Sequence, residues 1–314
     1  MSEAMGPEVT VAIPTFRRPQ GLQRLLDALA QLQTHASVRV LVADNDAQAH
    51  EGLDLCEALR GKGYRWPLTS VIAAERGIAA VRNALVANAL SDPKTDFVAM
   101  LDDDEWPTPH WLDALLADQA KTGADALQGS ILFAFDQKPA AWARSFDGMS
   151  DIRHASGPVD MLQGAGNILV TRAALERLPQ PWFDPAFALG GGEDFDFFTR
   201  LKRGGAAFAW SDEAVAYSSV ADTRITMGWA LARAYSIGNS DMRVFLKYQP
   251  GFAARMQELA KIAGAFVIAP LLFIANAFDS TRRADALRRL WRAAGKCAAL
   301  MGRGYAEYAV THGR

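Results

Sequence analysis

"FVAMLDDDEWPTPHWL", residues 97–112, begins as an apolar run and ends in three consecutive aspartates followed by tryptophans. An apolar run ahead of the acids reads as a buried strand that delivers them at its carboxyl end. Like charges this close repel and raise one another's pKa, so Asp102, Asp103 and Asp104 need positive partners. An Asp-x-Asp pair at a strand end can hold a hard divalent cation through oxygen ligands, and the cation can bridge to phosphate. A plainer role stands beside it: acids ahead of "TPHWLDALL" suit a helix N-terminus, with Thr108 as its cap. One acid would satisfy that role, and three exceed it.

Outward from this stretch the first half alternates strand and helix. "VTVAIPTF" (9–16), "VRVLVADND" (38–46), "LTSVIAAE" (68–75) and "DFVAMLDDD" (96–104) read as apolar strands. "PQGLQRLLDALAQL" and "GIAAVRNALVANAL" read as helices, the first opened by Pro19. Apolar strands separated by amphipathic helices predict an α/β fold with a parallel sheet covered on both faces. Such sheets bind ligands beyond the carboxyl ends of their strands, where Thr15, Asp44, Asp46 and the three aspartates all fall. Residues 125–218 are less regular. They hold expected strands in "ALQGSILFAF", "GNILVTR" and "AAFAWSDEAVAYSS", a flexible stretch around 136–158, and a helix over "GEDFDFFTRLKRGG". From about residue 224 the pattern is helical to the end.

With 314 residues, 50% of them hydrophobic and 22% charged, the chain can fill one large domain or a domain with an appendage. A net charge of −2 provides no basic field for nucleic acid. Cys56 and Cys297 match no zinc or redox spacing, which fits a reduced, cytoplasmic compartment. The start "MSEAMGPEVT" lacks the basic and apolar regions of a signal peptide.

Two more constellations carry chemistry. In "GGGEDFDFFTRLKRGG" (190–205), glycines allow close approach of a ligand and bring Glu193 and Asp194 to a helix start. A carboxylate there can take a proton from a hydroxyl as general base, while Phe195, Phe197, Phe198 and Leu201 would form the helix's buried side. In "AERGIAAVRNALVANA", Arg76 and Arg82 flank a helix N-terminus, a natural anion site. Taken alone, Arg82 could equally be a solvated or salt-bridged helix residue.

These blocks, in the order "VAIPTFRRPQGLQRLLDAL", "VLVADND", "ERGIAAVRNALVANA", "DFVAMLDDDEWPTPHWLDALL", "GAGNILVTRAAL" and "FALGGGEDFDFFTRLKRGG", resemble the family 2 glycosyltransferases over about residues 9–240. The resemblance implies the GT-A fold, a mostly parallel sheet flanked by helices, here with a helical C-terminal extension. It also implies inverting transfer of a sugar from a nucleotide diphosphate sugar, usually a UDP-sugar, with Mg²⁺ or Mn²⁺. Carried over by motif, Pro14, Thr15 and Arg17 lie in the first nucleotide-contacting loop, Asp44 near the base, and Arg76 and Arg82 in a nucleotide-contacting block. Asp102 and Asp104 form the DxD pair, Asp104 as the direct metal ligand, with Asp103 on ribose or shaping the turn. Asp194 is the expected base, with Glu193 beside it. Gly164, Gly166 and Asn167 of "GAGN" resemble the loop beneath donor sugar and acceptor. One departure concerns "AVAYSSVAD" (214–222): many relatives carry a histidine where Ser218 and Ser219 stand. Arg233, in a helix that still resembles the family's, is a candidate diphosphate contact. Trp106, Trp111 and Trp182 are candidate sugar platforms, or core aromatics.

The expected organisation is a catalytic domain over 1–222, with a donor half at about 9–104 and an acceptor half at about 105–222, then a helical region over 223–314. Within that region "IAGAFVIAPLLFIANAF" (262–278) has no charged residue in 17 positions and is followed by a basic helix over 280–300. Arg282, Arg283, Arg288, Arg289, Arg292 and Lys296 supply its charge. Seventeen residues centred on Pro270 are short for a span. Both flanks belong on the side of the cytoplasmic nucleotide sugar, so shallow insertion into an anionic membrane surface is expected; a helix buried on the catalytic domain is the alternative. A glycan or lipid-linked acceptor, at the cytoplasmic face of the plasma membrane of a bacterium, in surface polysaccharide or glycolipid synthesis, would fit. Two other readings remain at this point: a haloacid-dehalogenase-like phosphatase with Asp102 as nucleophile and Asp104 as acid/base, and a non-catalytic sugar-nucleotide-binding membrane scaffold.

Overall fold

Residues 6–305 are described by a computed structural model. The first strands are β1 (Glu8–Thr15), β2 (Ser37–Asp44), β3 (Leu68–Ile72) and β4 (Phe97–Met100), which lie parallel in the order β3-β2-β1-β4. The order reverses direction between β1 and β4, and a crevice opens at such a switch point beyond the strand ends. Thr15 and the run Asp102–Asp104 flank that crevice.

The sheet is parallel only in part. β8 (Ile168–Thr171) pairs antiparallel with both β4 and β6 (Ala126–Phe135), and β6 pairs parallel with β9 (Phe208–Val220). Two short strands, β5 (Glu105–Pro107) and β7 (Gly157–Val159), add antiparallel to β9. β5 starts one residue after the aspartates, so the DDD run is a turn between two strands of the same sheet. Thr108 does not cap the following helix α4 (Trp111–Thr122): its N–H and hydroxyl both donate to the Val215 carbonyl of β9. The stretch expected as flexible contains a 3₁₀ turn at Ala141–Ser145 and a bridge between Ile131 and Ile152.

Helices cover both faces because their apolar residues recur at helical spacing. On one face, α1 (Pro19–Ala30) buries Leu22, Leu25, Leu26 and Leu29 with Trp111, Leu112 and Leu115 of α4, beside α2 (Glu51–Gly61). Burying each leucine stabilises the fold by about 2 kcal/mol. On the other, α3 (Ile78–Ser91), α5 (Arg172–Arg177) and α6 (Glu193–Arg203) bring Leu85, Leu175 and Phe197 into a second core.

Three helices follow the sheet: α7 (Met227–Lys247), α8 (Phe252–Ala275) and α9 (Ser280–Leu300). α7 and α9 cross at two glycines, since a Cβ on Gly238 or Gly295 would lie 2.0 Å from a carbonyl oxygen of the other helix. α8 is long and apolar enough to cross a membrane, yet only 11% of its apolar window is buried.

Asn167 shows how tightly the sheet is sealed. Fully buried at φ 49°, it accepts from Trp111 Nε1 at 2.5 Å and donates to the Ser130 and Ala214 carbonyls, each at 2.9 Å. Asn167→Ala strands one donor and two acceptors, so urea unfolding is expected to show a loss of about 3 kcal/mol. A loss below about 0.5 kcal/mol would contradict this role.

Candidate active site

The crevice deepens into a cavity of about 1350 Å³ running from the β1 and β4 ends to α7 and α9. The three aspartates share it but face different partners. Asp103 is the most enclosed: its Oδ2 accepts from the Thr15 hydroxyl at 2.9 Å and the Phe16 N–H at 3.3 Å, and Oδ1 from Arg18 at 3.0 Å. Burial pushes its carboxyl up to about 6, with Arg18 opposing and Asp104 adding to the rise. Asp104 meets Arg18 at 3.0 Å and Arg224 at 3.4 Å. Asp102 meets Arg82 at 3.0 Å and keeps 36% of its side chain exposed.

Arg82 reaches further. Its Nη1 donates to Glu193 Oε1 at 2.6 Å, so one buried guanidinium holds both the DxD run and the "GGED" loop. Glu193 is 2% exposed, its Oε2 has no hydrogen-bond partner, and burial together with Asp194 lifts its carboxyl to about 8 against the pull of Arg82. Gly192, at φ 92°, lets the chain turn into α6 so that Glu193 points inward while Asp194 lines the cavity. Gly164 passes beneath, where a Cβ would stand 3.6 Å from Asp194 Oδ2.

Pro14, Thr15, Arg76, Gly164, Gly166 and Arg233 also line the cavity. Asp44, Arg17, Asn167 and Glu193 do not. Asp44 binds the Asp46 and Gly52 amides at 2.9 Å each and so ties β2 to α2. Arg17 turns away at φ 55° to Asp46, 2.6 Å from it, and holds that carboxyl down to about 2. Asn45 takes the place beside the cavity, joining the ends of β2 and β3 through the Ala73 and Glu75 carbonyls and the Gly77 N–H. The guanidinium of Arg76 lies 5.0 Å from the Phe16 ring at the rim.

The candidate sugar platforms move as well. Trp111 and Trp182 are buried in the two cores, and Trp106 stacks between Arg24 and Tyr217 outside the cavity. The tryptophan that does line it is Trp229 of α7, with Arg224 5.8 Å from its ring. Sequence reading also passed over Arg18, Glu105 and Arg224. Arg18 is the neighbour of the arginine chosen, and Glu105 adjoins the aspartates. It is buried, accepts the Asp102 N–H at 3.0 Å, and burial next to Asp102 lifts its carboxyl well above the usual range. Arg224 lies too far along the chain from Asp104 for any local pattern to join them.

The residues fit a hard divalent cation. Asp102 and Asp104 offer carboxylate oxygens open to the cavity, which Ser218 also lines. Among the described residues no group of three or more His, Cys, Asp or Glu side chains is set to hold a metal alone. Two carboxylates completed by substrate phosphate oxygens and water is an arrangement that suits Mg²⁺.

Known proteins place this geometry. In structure, the chain is similar to a mannosyltransferase from Pyrobaculum calidifontis, solved in complex with GDP-Man and Mn²⁺, with a TM-score of 0.64, 17% identity and 95% and 88% of the two chains covered. It is similar to TarS residues 1–349 of S. aureus, solved with UDP, at a TM-score of 0.50 and 16% identity over 95% and 93%. In sequence, it is 31% identical over 250 residues to the succinoglycan biosynthesis protein ExoM of Rhizobium meliloti, covering 77% of each chain. It is 28% identical to the chondroitin synthase of Escherichia coli over 67% of this chain and 34% of that one. The model of glycosyl transferase family 2 matches residues 10–178, and the chain therefore belongs to that family.

Proposed function

We propose that this glycosyltransferase moves a sugar, with inversion, from a nucleotide diphosphate sugar, in our reading a UDP-sugar, to a hydroxyl of a glycan or lipid-linked acceptor in bacterial surface polysaccharide or glycolipid synthesis. One observation carries the reading: a single cavity brings the DxD carboxylates, several arginines and the Asp194 carboxylate together. Family membership removes the phosphatase reading, and Asp102, Asp104 and Asp194 gathered in one cavity speak against a non-catalytic scaffold. The GDP-Man and Mn²⁺ of the mannosyltransferase and the UDP of TarS support a nucleotide-linked donor and a divalent metal.

Asp194 takes the proton of the acceptor hydroxyl as its oxygen attacks the anomeric carbon from the face opposite the leaving diphosphate. Arg18, Arg82 and Arg224, already fixed on the aspartates, and Arg76 and Arg233 stabilise charge developing on that diphosphate. Mg²⁺ or Mn²⁺ held by Asp102 and Asp104 would add Lewis-acid stabilisation of the same oxygens. Glu193 is turned out of the cavity onto Arg82, which leaves Asp194 as the acid of the two that faces the cavity. Trp229 offers an aromatic face to a sugar ring.

The acceptor side opens toward α7–α9, the helical region proposed to follow a catalytic domain ending near residue 222, and α8 supports membrane attachment. Val267, Leu271 and Ile274 form an exposed stripe at 64%, 61% and 70% exposure. The basic helix contributes less than its composition suggests. Arg288 and Arg289 pair with Asp285, Arg292 with Asp241, and Lys296 with Glu258. Attachment at the cytoplasmic membrane face is therefore led by apolar insertion, with anionic lipid as a secondary attraction.

Three outcomes are expected. Asp194→Asn lowers metal-dependent turnover of the nucleotide sugar by about 10²- to 10⁴-fold while UDP binding by calorimetry persists; full turnover in that variant would remove the base assignment. The second concerns pH. Glu193 binds its proton more tightly folded than unfolded, so its ionisation drains stability as pH rises from 4.5 to about 8. Wild type should thus lose stability relative to Glu193→Gln across that window and not below it, whereas parallel denaturation curves would refute the shift. In vesicle flotation, Val267→Asp/Leu271→Asp should abolish binding, and 0.5 M NaCl should leave most wild-type binding intact because screening acts only on the charged share. Binding that vanishes in salt and survives the double substitution would reverse that order.

A further inference from the structure

The acids of "GGEDFD" diverge: Glu193 enters toward Arg82, Asp194 lines the cavity, and Asp196 points away from both, into α7. One face of α7 receives this whole segment. Ser240, Arg243 and Lys247 lie on it at i, i+3 and i+7 spacing. Ser240 Oγ donates to the Gly190 carbonyl at 3.1 Å, and a Cβ on Gly192 would meet Ser240 Cβ at 2.8 Å. Arg243 donates to the Ala186 carbonyl at 2.6 Å, its guanidinium 4.9 Å from the Phe187 ring. Lys247 Nζ donates to Asp184 at 2.7 Å and to Asp196 Oδ1 at 2.6 Å, and the Tyr248 hydroxyl donates to the same oxygen at 2.7 Å.

Asp196 is fully buried and its Oδ2 has no hydrogen-bond partner, so compensation of its charge falls on Lys247. A buried carboxylate that loses its cation must take up a proton, admit water or shift, and each of these changes its contacts. Asp196 sits in the first turn of α6, two residues from Asp194, and any such shift moves the turn that aims Asp194. The turn is thus held from two sides, by Arg82 through Glu193 and by Lys247 through Asp196. The second hold comes from a helix beyond the stretch matched by the family model, which ends at residue 178.

We propose that Lys247 is a positioning residue for sugar transfer, fixing the Asp194 carboxylate through its ion pair with Asp196. The proposal rests on the reading of Asp194 as base. It is tested on the full chain with Lys247→Met, Lys247→Arg and Tyr248→Phe, by hydrogen exchange of the 188–196 segment and by nucleoside diphosphate release from a panel of UDP-, GDP- and TDP-sugars with Mn²⁺. Lys261→Met, in an exposed pair on α8, serves as control.

In Lys247→Met, exchange at 188–196 should accelerate, and kcat should fall by about 10- to 100-fold with donor KM nearly unchanged, the signature of a displaced reacting group. Lys247→Arg should recover most of both. Should Lys247→Met fail to fold, Tyr248→Phe, which removes one donor and keeps the ring, should still speed exchange and lower kcat several-fold. Unchanged exchange and kcat in a folded Lys247→Met, or a loss confined to KM, would overturn the proposal. Full turnover in Asp194→Asn would instead fell the base reading, and the exchange data would still report on the clamp.

Discussion

The Arg82 guanidinium is the interaction around which the site is organised. Its side chain is 5% exposed and bridges Asp102 and Glu193, two acids far apart in the chain. A buried charge is tolerable only when paired and hydrogen-bonded. Here each side of the pair stabilises the other: without Arg82, Asp102, Glu193 and Asp194 would face one another across a low-dielectric space. Because Arg82 stands in the second turn of α3, the packing of α3 on the sheet sets where the aspartate turn and the Glu193–Asp194 loop lie relative to each other. The geometry of the cavity thus rests on how one helix seats in an apolar core.

The same logic divides the three aspartates. Asp103, closed in by Thr15, Phe16 and Arg18, ties β1 to the turn after β4 and contributes structure at the switch point. Asp102 and Asp104 remain open to the cavity, each steadied by arginines that can also meet phosphate oxygens. A donor diphosphate arriving here would share guanidinium groups with the carboxylates and would not have to recruit them from solvent. Such preorganisation lowers the reorganisation cost when charge develops on the leaving group.

Much of this was legible along the chain, for identifiable reasons. The strands from β1 to β4 announce themselves because buried parallel strands are almost continuously apolar, and α1 because its leucines keep helical spacing. The apolar and basic helices at the C-terminal end are composition signals; the basic helix keeps its expected bounds, whereas α8 starts ten residues before the apolar stretch at 262 and ends at Ala275. The antiparallel insertion of β8 between β4 and β6 was not legible, because strand direction depends on long-range pairing. The cleft residues split in the same way. Motif spacing places Asp102, Asp104 and Asp194 in the cavity, where the side chains lie. The family resemblance also nominated Asp44, Arg17 and Asn167, whose side chains are spent on a helix start, an ion pair and a sheet seam. Arg18 and Arg224 escaped because a partner's identity is a three-dimensional fact: Arg224 acts on Asp104 only after β9 returns along β5.

The C-terminal helices bring two demands into one piece of chain. α7 is fastened to the segment that carries Asp194 through side chains at 240, 243 and 247, and to α9 through the glycine crossing. Immediately afterwards the chain must release an apolar helix that the protein leaves largely uncovered. The break falls at Gln249, at φ 47°, followed by Pro250 and Gly251, where the helix hydrogen-bond ladder stops. It comes two residues after Lys247, yet α8 stays packed on its neighbours: Ile262 of α8 is buried with Met242 of α7 and Ala293 of α9, and Glu258 pairs with Lys296. The inner side of α8 thus braces the helix that carries Lys247, while its outer stripe of Val267, Leu271 and Ile274 remains uncovered.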